Sequence, residues 1–364
     1  MKRRDVIRGL GTGAAAAAVA ACSRNAGQPR SAADARTFEW RLVTTWPANF
    51  PALGTGAIDF ARRVDACSAG RLKIRIYGDG ELVPAFEIFD AVSSGTAEMG
   101  HGAAYYWKGK VPAASFFASV PFGLIAQEMN AWLYYGGGWD LWKEAYAPFG
   151  LLPAPCGSSG TQMGGWFRKE IRSMADIKGL KMRIPALGGE IIARAGGTPV
   201  TMPGSEIFTS LQSGAIDAAE WIGPYNDLAF GLYKAAKYYY YPGWQEPGST
   251  LEMIINQAAF ETLPEDLREI VLTCASATND RMAAEFTARN AGALQSLVKD
   301  HGVQVRRYPD DVMRELQRLS VEVLEETARA DPMFRRVLNS LQAFRQTMTP
   351  YIDIAERAML NSRA

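Results

Sequence analysis

The chain has 364 residues, 48% of them hydrophobic, with 39 Lys and Arg against 38 Asp and Glu. Near-neutral charge without basic runs excludes a nucleic-acid-binding surface, and the apolar content is ample for two packed domains. Only two histidines, His101 and His301, are present, and the absence of CxxC, HExxH, GxSxG and phosphate-loop strings weighs against the common enzyme classes.

The amino terminus predicts a processing segment. Lys2, Arg3 and Arg4 precede an Ala-rich apolar run from Gly9 to Ala21, followed by Cys22. A basic region, a short apolar region and small residues before a cleavage point describe an export signal, and the run is too short for a membrane-spanning helix of about 20 residues. Arg3-Arg4 followed by Val6 and Ile7 resembles a twin-arginine signal. Val19-Ala20-Ala21-Cys22 resembles a lipobox, which would leave Cys22 as a lipidated first residue. Residues 1–21 are therefore expected to be removed and 22–37 to form a flexible tether. Removal takes away four basic residues and one acidic one, leaving the mature chain near −2. Beyond Cys22 stand Cys67, Cys156 and Cys274; three thiols allow at most one disulfide and leave one free.

Phe38 to Val43 reads as a first strand, a helix follows over 57–68, and Leu72 to Tyr77 alternates as a second strand. Pro84 starts a helix, Gly100 to Trp107 is a strand and its end, and a helix is expected over 127–146. In the second half, Gln162 to Arg168 and Leu180 to Ile184 read as strands, and a further strand runs to Trp221. Tyr238 to Trp244 and Leu251 to Gln257 carry the chain back between lobes. Helices are expected at 264–300, 310–330 and 332–362, with a strand over 302–308. Strands alternating with helices predict an α/β fold with a mainly parallel sheet. Met333 to Met359 has apolar residues at helical spacing without an obvious lobe to cover, so it either pairs subunits or packs on its own lobe.

One segment is repeated. Glu87-Ile88-Phe89-Asp90-Ala91-Val92-Ser93-Ser94-Gly95 returns 119 positions later as Glu206-Ile207-Phe208-Thr209-Ser210-Leu211-Gln212-Ser213-Gly214. Both read as a short amphipathic helix stopped by glycine and followed by a strand. Two such units imply two similar lobes with a cleft between them. The predicted lobe I is 38–155 plus about 246–300, and lobe II is 156–245 plus about 301–332. Residues 333–364 form a C-terminal helix and candidate dimerisation element.

Open α/β sheets place ligand groups at strand ends. The repeat aligns His101 with Glu220, and both are expected at cleft-facing strand ends. The second lobe offers Gln162, Arg183, Glu220 and Trp221, and Gln245-Glu246 follow at the return crossing. An arginine fork suits the carboxylate of a small organic acid. Two glutamates beside an anion would repel it unless a cation lay between them, and Glu220, Glu246 and the Gln162 amide oxygen are hard donors for such an ion. Trp221 offers an aromatic wall and a backbone carbonyl. Tyr105, Tyr106 and Thr161 complete the candidate ligand-contacting set, although aromatic runs such as 104–107 and 238–241 also serve as packing.

At these residues the chain resembles a known family. Gly160-Thr161-Gln162-Met163-Gly164-Gly165-Trp166-Phe167-Arg168, Gly179-Leu180-Lys181-Met182-Arg183, Ala219-Glu220-Trp221-Ile222-Gly223-Pro224-Tyr225 and Tyr239-Tyr240-Tyr241-Pro242-Gly243-Trp244 resemble extracytoplasmic solute-binding proteins of tripartite ATP-independent periplasmic (TRAP) transporters, most closely the 2-oxoacid-binding subgroup. The resemblance implies a periplasmic two-lobed receptor that closes on its ligand and docks to membrane permease subunits. It implies that Arg183 holds the ligand carboxylate and that a cation, sodium or else calcium, bridges protein and ligand. The donors it implies are Gln162, Glu220, the Trp221 carbonyl and Glu246, with Gln245 the alternative to Glu246. It also implies a homodimer formed through the C-terminal helix. The rival readings are a periplasmic cofactor-dependent enzyme and a sensory receptor of the same fold.

Overall fold

The computed structural model describes residues 36–363; the expected signal, lipobox and Cys22 lie outside the described residues. Strand β1 (Phe38–Thr44), helix α1 (Leu53–Cys67), β2 (Leu72–Tyr77), α2 (Ile88–Ser93) and β3 (Met99–Gly102) begin the first lobe. Helices α3 (Ala114–Ala118), α4 (Ala126–Tyr135) and α5 (Gly138–Tyr146) precede the long strand β4 (Leu151–Gly160). The single helix expected over 127–146 is two. Gly137 takes φ 81° between them, a left-handed conformation that costs glycine little and through which an α-helix cannot run.

The second lobe contains β5 (Gly165–Phe167), β6 (Lys181–Arg183), α6 (Ala186–Arg194), β7 (Thr198–Val200), α7 (Gly204–Ser213), β8 (Ala218–Ala219), α8 (Pro224–Phe230) and β9 (Tyr238–Tyr241). The chain then returns through β10 (Ser249–Asn256), α9 (Gln257–Glu261) and α10 (Glu265–Lys299), and adds β11 (Gln304–Arg307) to the second sheet. Helices α11 (Asp310–Ala330) and α12 (Pro332–Ile352) follow. A π-helical turn (Asp353–Arg357) joins α12 to α13 (Ala358–Asn361).

The first sheet has the order β2-β1-β3-β10-β4 and the second β11-β9-β5-β8-β6-β7. Both are mixed, where a mainly parallel sheet was expected. β1 and β3, β6 and β7, β6 and β8, and β9 and β11 are parallel pairs. β10 runs antiparallel to β3 and β4, and β5 antiparallel to β8 and β9. The antiparallel strands adjoin the lobe crossings: β4 leaves the first sheet and β10 returns to it, so the two run in opposite directions. β5 and β9 do the same in the second sheet.

The repeated segment occupies equivalent places. Pro84 and Pro203, both at φ −57°, stand before the first turn of each unit, which in the first is a 3-10 turn leading into α2. Gly95 and Gly214 end both helices at φ 79°, the left-handed stop that glycine provides. β3 and β8, which follow, each have one parallel and one antiparallel neighbour. Ile88, Phe89 and Val92 are buried, as are Ile207 and Leu211, whereas Phe208 is half-buried.

Helix α10 is about 52 Å long at 1.5 Å per residue. It packs on β4 and α1 in the first lobe and on α8 in the second, with Leu267, Val271, Cys274, Met282 and Phe286 buried. The first half of α12 also packs on its own lobe. Asp331 caps it by accepting a bond from the Phe334 amide at 2.7 Å, Phe334 stacks edge-on against Phe116 at 4.5 Å, and Val337, Leu338 and Leu341 are buried. Only the far end, beyond Pro350, leaves Tyr351, Ile354, Met359 and Leu360 exposed.

Candidate ligand and cation site

Arg183 ends β6 and Glu220 follows β8. These are adjacent parallel strands in which Arg183 stands opposite Ala219, so both side chains leave the sheet at one edge. Gln162 lies in the crossing after β4, and Gln245 and Glu246 lie in the return crossing before β10. The crossings run side by side: the Gln162 amide donates to the Glu246 carbonyl at 3.2 Å and the Gly164 amide to the Tyr240 carbonyl at 2.8 Å. Gly243 makes that approach feasible, because a Cβ there would stand 2.2 Å from the Gln162 carbonyl oxygen. Tyr105 and Tyr106 come from the first lobe, on the 3-10 turn after β3.

Arg183 is 1% exposed and Glu220 fully buried. Arg183 Nη1 donates to the Glu220 carbonyl at 2.9 Å and also to Glu220 Oε1. The other edge of the fork is weakly engaged, with Nη2 3.4 Å from the Tyr106 hydroxyl and Nε 3.4 Å from the Met202 carbonyl. That edge is free to grip a ligand carboxylate through two parallel bonds. The guanidinium lies 5.2 Å from the Trp221 ring centroid. Gln162 Nε2 donates to Glu246 Oε2 at 2.8 Å, to Ser159 Oγ at 3.1 Å and to Ser249 Oγ at 3.2 Å. Ser249 and Tyr105 donate to the same Glu246 carboxylate. Gln245 Nε2 donates to the Met163 carbonyl at 2.8 Å, and the Gln245 side chain lies beside Glu220.

Gln162 Oε1, Glu220 Oε2 and Gln245 Oε1 are buried without a donor among the described residues. An unpaired buried acceptor costs about 1–3 kcal/mol, and three in one cluster fit a cation. Among the described residues no group of three or more His, Cys, Asp or Glu side chains forms a metal site. This cluster has two carboxylates and otherwise relies on neutral oxygens, a donor set suited to a hard ion such as sodium or calcium. Burial pushes Glu220 well above the usual carboxylate range, and the charge of Glu246 adds to the rise. Glu246 is raised to about 7, chiefly by burial, against the pull of Ser249, Arg183, Tyr105 and Gln162. For Arg183, burial favours loss of charge, but the Glu220 charge beside it prevails and the pKa is raised. One guanidinium does not balance two buried carboxylates, so burial of the pair favours keeping a carboxyl protonated.

The structure thus brings Arg183, Gln162, Glu220, Trp221, Glu246, Tyr105 and Tyr106 together. Thr161 stands outside the group with an exposed side chain. His101, expected at a cleft-facing strand end, is fully buried, and its hydrogen bond and ring contact are with other residues. Its Nε2 lies 3.1 Å from the Cys156 carbonyl and its ring 4.9 Å edge-on from Trp46. Burial lowers its pKa to about 4, so it is a neutral core residue. Ser159 and Ser249 were missed by sequence reasoning, since a lone serine near a crossing carries no motif; only the three-residue spacing from Glu246 to Ser249 hints at the bond. The lobes also touch around the cluster. Lys108 pairs with Glu190, Ser205 donates to Asp79 at 2.8 Å, Asn226 donates to the Pro51 carbonyl at 3.0 Å, and Phe50 stacks on Phe230 at 4.1 Å. A surface groove of about 730 Å3 between α1 and α10, lined by Thr55, Asp59, Arg281 and Glu285, shares no residue with this cluster.

The profile of the bacterial extracellular solute-binding protein family 7 matches residues 42–331. The chain belongs to that family. As a family 7 protein it is an extracytoplasmic solute receptor, which sets aside the enzyme alternative. A relative, the monocarboxylate 2-oxoacid-binding periplasmic protein of Nostoc sp. (strain PCC 7120), is 43% identical over 99% of this chain and 98% of its own length. The crystal structure of a TRAP periplasmic solute-binding protein from Pseudoalteromonas atlantica, with bound sodium and pyruvate, superposes with a TM-score of 0.88 at 42% identity, covering 90% of this chain and 99% of that one. A TRAP solute-binding protein from Bordetella bronchiseptica superposes with a TM-score of 0.88 at 36% identity, covering 90% of this chain and 97% of its own. It was solved as a mixed-occupancy dimer with calcium and picolinate in one site and the other site apo. Among the described residues of the family 7 chain no helix is long and apolar enough to cross a membrane.

Proposed function

We propose that this receptor serves a TRAP transporter and binds a small 2-oxo or 2-hydroxy monocarboxylate, of the pyruvate or lactate kind, through Arg183 and a bridging cation. The observation that carries the reading is the half-engaged guanidinium of Arg183 beside three buried acceptor oxygens without donors. Gln162, Glu220, the Trp221 carbonyl and Glu246 would hold the ion, which supplies positive charge against the ligand carboxylate and its 2-oxygen. Arg183 orients the carboxylate, Trp221 and Tyr106 bound the space for the short apolar end, and Tyr105 holds Glu246 in place. Contacts across the lobes exclude water, which strengthens each charge interaction inside.

Charge balance gives each ion its own protonation state. Arg183 against two ionised glutamates leaves one net negative charge, and the ligand adds a second. Sodium with a proton kept on the glutamate pair restores neutrality, and so does calcium with both glutamates ionised. The sodium state is the one in which Glu246 keeps its raised pKa.

The strand membership of the two sheets supports a first lobe of 38–155 plus about 246–300, with its edge following β4 to Gly160, and a second of 156–245 plus about 301–332. The exposed apolar end at 351–360 supports homodimer formation through the C-terminal segment. Membrane permease subunits are the further partners of this reading, and Cys22 its lipid-anchoring residue. Titration calorimetry with pyruvate, lactate and succinate in sodium, calcium and chelator tests it. Micromolar binding of the monocarboxylates only with an ion present is expected; ion-independent binding rejects the bridge, and preference for succinate rejects the ligand class.

A further inference from the structure

Three cysteines of the described chain lie in one corner of the first lobe. Cys67 ends α1 and is exposed, whereas Cys274 on α10 and Cys156 on β4 are buried. The Cys67 and Cys274 side chains are neighbours that interact with each other. Their helices are held in register on both sides of that point. Arg281 on α10 lies 3.7 Å from Asp59 on α1, and Arg71, just past α1, pairs with Asp266 near the start of α10. The order 59, 67, 71 along one element faces 281, 274, 266 along the other, so the helices run antiparallel with the two sulfurs at matched positions.

We propose that Cys67 and Cys274 form a disulfide in the mature protein, stapling α1 to α10. The family acts in the extracytoplasmic space, where disulfides form and persist. The oxidant is a protein disulfide of the thiol-oxidoreductase class. The Cys67 thiolate attacks one sulfur of that donor, forming a mixed disulfide and releasing the donor's first thiol. Cys274, giving up its proton, then attacks the Cys67 sulfur; the Cys67–Cys274 bond forms and the donor's second thiol leaves. The two cysteines lose two electrons and two protons, and the donor disulfide gains both. Exposure makes Cys67 the first attacker. Burial, reinforced by Cys67 itself, raises Cys274 to about 11, so Cys274 is the poorer attacker alone and takes the second step because it is held beside Cys67. Burial also raises Cys156, and it remains the odd thiol.

The staple has a consequence for closure. Beyond Cys274, α10 reaches the second lobe, where Glu285 accepts from the Tyr225 hydroxyl at 3.2 Å and Asn290 from the Tyr225 amide at 2.9 Å. A bond at Cys274 fixes the first half of α10 to the first lobe, so the lobes move about the far half alone.

The test uses the full-length exported protein, quenched in acid, alkylated in denaturant and digested with trypsin without reduction. Peptides 64–71 and 269–281 are expected as one linked species that separates on reduction, with Cys156 alkylated. A fall in Tm of roughly 3–8 °C on reduction is expected in the parent and in Cys156→Ser, and none in Cys67→Ser or Cys274→Ser. Alkylation of all three cysteines in the exported protein, or a Cys156–Cys274 link, overturns the proposal. Ligand binding is read separately, and its presence or absence does not bear on the disulfide.

Discussion

Arg183 and Glu220 stand at the ends of neighbouring parallel strands, and the guanidinium answers the carbonyl and only one of the two carboxylate oxygens of its partner. Glu220 is therefore paired but unsatisfied, and Arg183 keeps one edge for a second anion. Arg183→Lys retains the charge and loses the fork, so binding of pyruvate is expected to weaken by about 2–5 kcal/mol, a loss of roughly 30-fold or more. Arg183→Ala is expected to abolish it. Calorimetry showing parental affinity in the lysine variant would refute the bidentate role.

The glutamate pair makes stability depend on pH and on the ion. Glu246 is raised from 4.5 to about 7, so the native state holds a proton that the unfolded chain releases at lower pH. Its contribution is full below the unfolded value and lost as pH rises through the folded one, on the order of 3 kcal/mol across that window. Glu252, raised to about 8 by burial, and Asp227, raised to about 6, act with the same sign, so the variant Glu246→Gln is needed to isolate the site. Chelated parent protein is expected to melt progressively lower from about pH 5 to pH 8, with a shallower slope in Glu246→Gln. Saturating sodium or calcium should flatten the parent curve, because binding the native state offsets the loss. Identical slopes in parent and variant would remove Glu246 as the cause.

The same reasoning separates the two ions. Near pH 7, calcium binding with ligand is expected to expel the carboxyl proton and sodium binding to retain it. Titrations in two buffers of different ionisation enthalpy measure this directly. Equal proton release with both ions would contradict this charge balance.

Much of this site is visible in the sequence because strand ends announce themselves. The short strand Lys181-Met182-Arg183 ends in a charged residue and the short buried strand Ala218-Ala219 is followed by one, and a buried charge there needs a partner. The two lobes are legible for a similar reason, since Pro84 and Pro203, like Gly95 and Gly214, set the same backbone angles twice. Gln162 and Glu246 carry no such local signal. They meet only because the two crossings lie side by side, a non-local fact that periodicity could not supply, although two glutamates beside an anion and the family resemblance both pointed to it. His101 shows the opposite failure: the repeat pairs it with Glu220, yet it lies within β3 and is packed against Trp46 and Cys156. The mixed sheets escaped the helix-strand alternation because strand direction is set by how often the chain changes lobes.

Gly243 tests the closeness of those crossings. Its missing Cβ leaves room for the Gln162 carbonyl, 2.2 Å from where that atom would stand, and backbone cannot swing aside as a side chain can. Gly243→Ala is expected to push the crossings apart at a cost of about 1–3 kcal/mol. Gln162 and Glu246 should separate with them, so ion-dependent binding should fall more than 10-fold. A variant with lowered Tm and unchanged ion affinity would show that the donor set does not depend on this contact.

The C-terminal segment gives the last prediction. Phe334 to Leu341 is buried on the first lobe, but after Pro350 the helix passes through a π turn, a common site of helix kinks. It then presents Tyr351, Ile354, Met359 and Leu360 at 65%, 79%, 58% and 61% exposure. Four large apolar side chains within ten residues are more than scattered surface hydrophobics, and a second copy of the same segment is the occupant they fit. Ile354→Glu with Leu360→Glu places a charge on either side of the patch without touching the buried half of the helix. Light scattering after gel filtration is expected to give a dimer for the parent and a monomer for the double variant, with pyruvate affinity unchanged because the site lies within one chain. A double variant that stays dimeric would move the interface elsewhere, and a monomeric parent would leave the patch without a role in assembly.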